Sequence, residues 1–286
     1  MNNVNGKTGI LGIIGHPVGH SLSPAMQNAA IEACGLNYIY VPFDVHPDRL
    51  GIAVRGLAAL GVAGFNVTIP HKSAIIPLLD ALDESAEVAG AVNTVRREDG
   101  LLVGYNTDGD GLIRSLADDL DFTPGAGTII LIGAGGAARG ALASFCRAGA
   151  ERVVIVNRTR EKAYELSGLL RQKFADTEII PLAADEDARP FLKGAGLLVN
   201  TTSLGMNNEQ IPYVELGELP GDVKIYDMVY APPVTPLLRE AAERGLACAN
   251  GLGMLAGQGE LAFEIWTGVR PPQGLMKNVL ATICIA

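Results

Sequence analysis

The run Thr128-Ile129-Ile130-Leu131-Ile132-Gly133-Ala134-Gly135-Gly136-Ala137-Ala138 sets an apolar strand directly against a glycine turn and the opening of an Ala-rich helix. In that context Gly133 permits a tight turn, Gly135 lets a phosphate come close to the backbone, and Ala138 leaves room for the helix to pack on the strand. The helix start adds free N–H groups and the positive end of a dipole, which is what a pyrophosphate needs. A G-x-G-x-x-A pattern between a strand and a helix therefore points to a dinucleotide, where the same letters elsewhere would be only a Gly-rich turn.

The end of the next strand bears on which dinucleotide. A site for NAD would place Asp or Glu there to accept from the ribose 2′-hydroxyl. This chain instead reads Asn157-Arg158-Thr159-Arg160, with Lys162 close behind. Arg158 with Arg160 or Lys162 is suited to clamp a 2′-phosphate by charge-assisted bonds, so NADP is favoured over NAD.

Around this unit the chain alternates strand and helix patterns. Strands are expected at 10–14, 38–45, 64–69, 92–97 and 101–105, and helices from Ser23, at 49–60, at 73–86 and at 108–120. A second series follows with strands at 128–132, 152–156, 179–181, 197–200 and 224–229 and helices at 137–148 and 160–174. Such alternation predicts an α/β fold of mostly parallel sheets covered by helices. Asp99-Gly100 between two apolar runs signals a hairpin, and with it one antiparallel edge on the first sheet. Ser23 reads as a helix N-cap followed by Pro24 at the first helical position. Boundaries fall near 108 and 250, with the C-terminal helices returning to the first domain.

Composition narrows the function classes. The 286 residues suffice for two domains, and 48% are hydrophobic. With 22 Lys plus Arg against 31 Asp plus Glu the net charge is −9, which argues against nucleic acid or an anionic membrane as partner. The 4 cysteines are widely spaced, without a C-x-x-C pair, and fit a reducing cytoplasm. Nothing in residues 1–8 reads as a signal peptide, and no apolar run reaches the roughly 20 residues of a membrane span.

Polar residues gather where strands of the first half end: Ser21 and Ser23, Asn66 to Lys72, Asn93, and Asn106 to Asp108. Ligands of open α/β sheets bind at the carboxyl ends of strands, so these segments can converge. The paired serines beside a helix start suit a carboxylate. Lys72 and Asp108 are the chargeable pair able to move a proton; taken singly, each would pass for a surface charge. His16 and His20 have helical metal-pair spacing, but Pro17 and Gly19 disfavour a helix there and no third ligand is near, so no metal is expected. The segment at 19–23 lacks the final Gly of a nucleophile elbow.

Together these segments resemble the shikimate dehydrogenase (shikimate/quinate dehydrogenase) family over nearly the whole chain. The matching motifs are S-x-S-P at 21–24, N-V-T-I-P-H-K at 66–72, G-A-V-N-T at 90–94, N-T-D-G at 106–109, the glycine turn at Gly133, and N-R-T at 157–159. They continue with N-T-T-S-L-G-M at 200–206, Y-A-P-P-V-T-P-L at 230–237 and N-G-L-G-M-L-A-G-Q-G at 250–259. The resemblance implies a substrate domain of residues 1–108 and 251–286, a Rossmann domain of 109–250, and a cleft between them. It implies NADPH-dependent reduction of 3-dehydroshikimate to shikimate in aromatic amino acid (chorismate) biosynthesis, with hydride delivered to C3.

By position, the resemblance assigns Ser21, Ser23 and Tyr230 to the substrate carboxylate and Thr68, Lys72, Asn93, Asp108 and Gln258 to the ring hydroxyls, with Lys72 and Asp108 catalytic. It assigns Gly133, Ala134, Gly135, Gly136, Ala137, Ala138, Asn157, Arg158, Thr159 and Lys162 to the dinucleotide, with Arg160 as the other candidate partner of Arg158. Thr201, Thr202, Ser203, Leu204, Val229, Gly251 and Met254 would line the rest of its path. One departure is Gln27, where many members carry His. A quinate-oxidising enzyme of the same fold with relaxed cofactor use, and a non-catalytic metabolite sensor, are the alternatives; both monomer and homodimer are compatible with the sequence.

Overall fold

A computed structural model describes residues 4–285. Residues 1–3 of the polar N-terminal segment, and residue 286 at the end of the expected substrate domain, lie outside them. The chain forms two compact units, 1–111 with 255–286, and 112–254.

The first unit contains β1 (Gly9–Gly15), α1 (Ser23–Ala33), β2 (Tyr38–Asp44), α2 (Leu50–Ala59), β3 (Gly64–Val67), β4 (Ala81–Leu82), α3 (Glu84–Ala89), β5 (Thr94–Glu98) and β6 (Leu101–Tyr105). Its sheet has the order β2-β1-β3-β5-β6-β4. Leu11, Ile14, Phe65, Val67 and Val95 are almost fully buried in it, as befits a sheet with helices on its faces.

The fold departs from three expectations. The hairpin forms, with Asp99 and Gly100 both at positive φ (49° and 89°) as a tight two-residue turn requires. The antiparallel strand it creates, however, is interior: β5 pairs antiparallel with both β3 and β6, and short β4 adds the edge, parallel to β6. The second correction is the continuous helix expected at 73–86. Pro77 cannot donate within a helix, and the segment becomes a 3-10 turn (Ile76–Leu78), then β4, then α3. Asp80 directs this break by accepting from Leu102 N at 2.7 Å, and Asp83 caps α3 by accepting from Ser85 N at 2.9 Å. Third, Ser23 is not an N-cap. Leu22 holds that position, Ser23 begins the helix, and no side-chain cap bond forms.

After α4 (Asp108–Leu120), the second unit runs through β7 (Thr128–Ile132), α5 (Gly136–Arg147), β8 (Arg152–Asn157), α6 (Arg160–Arg171), β9 (Glu178–Ala183), α7 (Arg189–Leu192), β10 (Ala195–Asn200), β11 (Lys224–Asp227), α8 (Pro236–Glu243) and β12 (Cys248–Asn250). The chain ends with α9 (Leu252–Thr267) and α10 (Leu275–Ile285); the divisions between units fall inside α4 and α9. The second sheet is wholly parallel with order β12-β11-β10-β7-β8-β9, the doubly wound order of a Rossmann domain. Its strand order reverses between β7 and β10, so the mouth of β7 is the switch point where such sheets bind ligands. Among the described residues, no helix is long and apolar enough to cross a membrane.

Candidate active site

In the first unit the polar residues that end the central strands meet. Lys72 Nζ donates to Asp108 Oδ2 at 2.5 Å, both side chains being partly buried. Asn93, buried just before β5, donates through Nδ2 to the other carboxylate oxygen at 2.8 Å and to Thr107 Oγ1 at 2.9 Å. Its Oδ1 accepts from Thr107 N at 2.9 Å. Gln258 on α9 joins through Oε1, 3.5 Å from Asn93 Nδ2, and its carbonyl accepts from Thr107 Oγ1 at 3.0 Å. Gly111 makes that approach possible, since a Cβ there would lie 2.5 Å from Gln258 N. Asp108 thus has each oxygen held by a different donor, and the lysine is fixed by a carboxylate that cannot turn.

Thr68 follows β3 and is anchored by its N–H to Ile14 O at 2.9 Å. Ser21 Oγ accepts from Ser23 N at 3.3 Å, just before α1, so the two serines are local neighbours. Tyr230 belongs to the second unit. His71 is buried with Nε2 2.7 Å from Val45 O, a holding role rather than an acid–base one. His16 pairs with Asp44 at 2.7 Å.

In the second unit the glycine turn leaves β7 with Gly133 at φ 110°, where a side chain would be strained and would meet Thr201 Oγ1 at 2.6 Å. Gly135, Gly136 and Gly140 face open space, so a Cβ at any of them would occupy room beside the α5 N-terminus. Ala138 is fully buried against the sheet. Thr201 Oγ1 donates to Ile132 O at 2.7 Å, and Asn200 Oδ1 accepts from Thr202 N and Oγ1, fixing the loop after β10 beside the glycine turn. Asn157 Nδ2 donates to Thr159 O at 2.8 Å. Arg160 is committed elsewhere: its Nη2 lies 2.8 Å from Glu186 Oε1, and its guanidinium stacks on Tyr164 at 5.2 Å. Arg158 and Lys162 are exposed, and among the described residues no carboxylate pairs with either. An open glycine cradle with two available cations fits a phosphorylated dinucleotide.

A model of the shikimate dehydrogenase substrate binding domain matches residues 13–95, one of shikimate / quinate 5-dehydrogenase matches 120–188, and one of the shikimate 5′-dehydrogenase C-terminal domain matches 251–281. Shikimate dehydrogenase (NADP(+)) of Geobacter sulfurreducens is 57% identical over 276 residues, covering 96% of each chain. The chain belongs to the shikimate dehydrogenase family. Among solved members, Listeria monocytogenes shikimate 5-dehydrogenase in complex with shikimate and NAD superposes with a TM-score of 0.92 at 33% identity, over 98% of this chain and 99% of that one. The Thermus thermophilus enzyme in complex with NADP(H) and shikimate gives 0.84 at 34% identity, over 96% and 99%.

Within this shikimate dehydrogenase fold, two groups of site-building residues have no individual role legible in the sequence. Asn66, Thr94 and Thr107 hold Asn93, although all three stand inside quoted motifs. Asp227 is fully buried and accepts from Asn200 Nδ2 (2.8 Å), Val229 N (3.0 Å) and Thr235 Oγ1 (2.6 Å), tying the loops after β10 and β11 together. Burial pushes its carboxyl up, against the pull of those three donors. An Asp ending an apolar strand, with Asn at the end of the strand beside it, was the available signal.

Proposed function

We propose that this chain reduces 3-dehydroshikimate to shikimate with NADPH, reversibly, as a step toward aromatic amino acids. The observation that carries the reading is the Lys72–Asp108 pair, with Asn93 securing the second carboxylate oxygen. Residues 1–108 and 251–286 form the substrate-binding part, and 109–250 the NADP-binding part. Ser21 and Ser23 hold the carboxylate of the substrate. Thr68, Lys72, Asn93, Asp108 and Gln258 hold the ring hydroxyls.

Gly133 to Ala138 receive the pyrophosphate, Asn157 and Thr159 shape the ribose end, and Arg158 with Lys162 clamps the 2′-phosphate. Lys162 rather than Arg160 is the partner, because Arg160 is already paired with Glu186 and stacked on Tyr164. Thr201, Thr202, Ser203, Leu204, Val229, Gly251 and Met254 line the remainder. When bound, NADPH supplies the hydride. Lys72 Nζ stabilises the oxygen that becomes the C3 hydroxyl and gives it a proton, and Asp108 holds Lys72 in place. The 4 free cysteines suit a reducing, cytoplasmic compartment.

The test is oxidation of shikimate with NADP+, followed by reduced-cofactor absorbance, beside quinate and NAD+ as competitors. Turnover fastest with shikimate and NADP+ is expected. No turnover of shikimate with either cofactor would overturn the reading.

A further inference from the structure

We propose that Asp227 is a positioning residue of the cofactor site, holding the loops after β10 and β11 in the shape that receives the nicotinamide half of the dinucleotide. The inference rests on the functional reading above, which lays NADPH along Thr201 to Leu204 and Val229.

Asp227 ends β11, and Asn200 ends β10 directly beside it. Both residues are fully buried, as is Thr235 at the N-cap of α8. Asp227 Oδ1 accepts from Asn200 Nδ2 at 2.8 Å and from Val229 N at 3.0 Å, and Oδ2 accepts from Thr235 Oγ1 at 2.6 Å. Asn200 carries the hold into its own loop: Nδ2 also donates to Leu204 O at 3.0 Å, and Oδ1 accepts from Thr202 N at 3.0 Å and from Thr202 Oγ1 at 2.7 Å. Leu204 N donates to Thr202 Oγ1 at 3.1 Å, closing the turn. Thr202, Leu204 and Val229 thus take their positions from a carboxylate too buried to touch the ligand itself.

The order of the strands says which half of the dinucleotide these loops serve. β7, with the glycine turn at its mouth, lies between β8 and β10, and β11 lies beyond β10. The candidate 2′-phosphate clamp follows β8, so the adenosine half belongs to that side and the nicotinamide half to the loops after β10 and β11. Two close approaches leave these loops little slack: Thr201 Oγ1 donates to Ile132 O at 2.7 Å, just before the glycine turn, and a Cβ at Gly251 would run into Met228 O. The three donors to Asp227 are uncharged, and burial pushes its carboxyl up, so shape rather than charge is what it supplies. An amide of the same shape can therefore replace it: its oxygen serves Asn200 and Val229, and its NH2 faces Thr235 Oγ1, which accepts by turning its hydroxyl.

The experiment is fluorescence titration of NADPH and NADH into the full chain, comparing wild type, Asp227→Ala and Asp227→Asn, beside the steady-state KM for shikimate. Asp227→Ala leaves Asn200, Val229 and Thr235 without their buried acceptor. It is expected to weaken NADPH and NADH by the same factor, about 5- to 50-fold, while the shikimate KM at saturating NADP+ stays within about threefold. Asp227→Asn is expected to stay within about threefold of wild type for both cofactors. Wild-type affinity in a folded Asp227→Ala, a loss confined to NADPH, an equal rise in the shikimate KM, or an Asp227→Asn as weak as Asp227→Ala would each overturn the inference.

If Asp227→Ala does not fold, Asn200→Ala, which leaves Val229 and Thr235 on the carboxylate, is expected to weaken both cofactors by about 3- to 10-fold; wild-type affinity would then overturn it. Unchanged affinity in Asp227→Ala, beside a wild type that turns over shikimate, defeats this inference alone. A wild type that binds neither cofactor defeats the functional reading, and this inference with it.

Discussion

The two units prepare their proposed ligand sites in different materials. In the first, side chains hold side chains: Lys72, Asp108, Asn93, Thr107 and Gln258 are joined by bonds of 2.5 to 3.5 Å. In the second, the proposed phosphate site consists of backbone and room. Gly135 and Gly136 face open space, α5 presents its N-terminus, and Arg158 and Lys162 stand exposed. A network already paired is suited to chemistry, because its groups need no rearrangement when charge develops. Unpaired cations on a surface are suited to affinity and selection, because nothing must be broken to engage them. Two exposed cations beside a helix start are compatible with an anionic dinucleotide even in a chain of net charge −9.

Substitutions can break this contrast. The largest effect is expected from Lys72→Ala, which should lower kcat by about 10^2- to 10^4-fold with little change in the KM for shikimate; near-normal kcat would remove Lys72 from the chemistry. Arg158→Ala should cost about 10- to 100-fold in KM for NADPH and much less for NADH, with unaltered thermal stability of the cofactor-free protein. Equal losses for the two cofactors would contradict the 2′-phosphate role. Asn93→Ala should behave oppositely, lowering stability by about 1–3 kcal/mol in thermal or urea unfolding, because Asp108 Oδ1 and Thr107 N lose a partner together.

The buried Asp227 offers a pH-dependent test. Its folded-state pKa is raised, so its contribution to stability is fully present below the unfolded value and is lost as pH rises through the folded value. Thr235 donates to the carboxylate, and Thr235→Val raises that pKa further. The variant should therefore cost about 1–3 kcal/mol at neutral pH and distinctly less once the carboxyl is protonated; a pH-independent cost in urea unfolding would sink the argument. The smallest effect is expected from Arg160→Ala. Its guanidinium is held by Glu186 in an exposed ion pair, so the preference for NADPH over NADH should shift by less than about threefold. A shift as large as that of Arg158→Ala would return Arg160 to the phosphate clamp.

Local sequence was legible where local physics decides. The strand, glycine turn and helix at 128–147 follow from apolar continuity, positive φ at Gly133 and an Ala-rich helical run, all readable within twenty residues. The Asp99-Gly100 hairpin was equally plain, as was α4 from Asp108 to Leu120. Where long-range pairing competes with local pattern, the reading failed. The stretch 73–86 has a helical rhythm, yet Asp80 finds Leu102 across the sheet and Pro77 stops the helix. The antiparallel strand was legible as half of a hairpin, but its interior place depends on its pairing with β3 and on the added strand β4, which no local pattern announces.

The site divides along the same line. Its residue types and the class of each ligand were in the motifs, since a glycine turn without a carboxylate after the next strand already favours NADP. Which cation remains available required the structure: Arg158, Arg160 and Lys162 look alike in sequence, and only the fold brings Glu186 to Arg160. Lys72 meets Asp108 across 36 residues and Asn93 meets Gln258 across 165, separations at which spacing carries no geometry. The chemistry was written in short segments because each segment ends a strand. Within the first unit, the meeting of Lys72, Asn93, Asp108 and Gln258 was decided by the order of strands in its sheet and by the helix that carries Gln258.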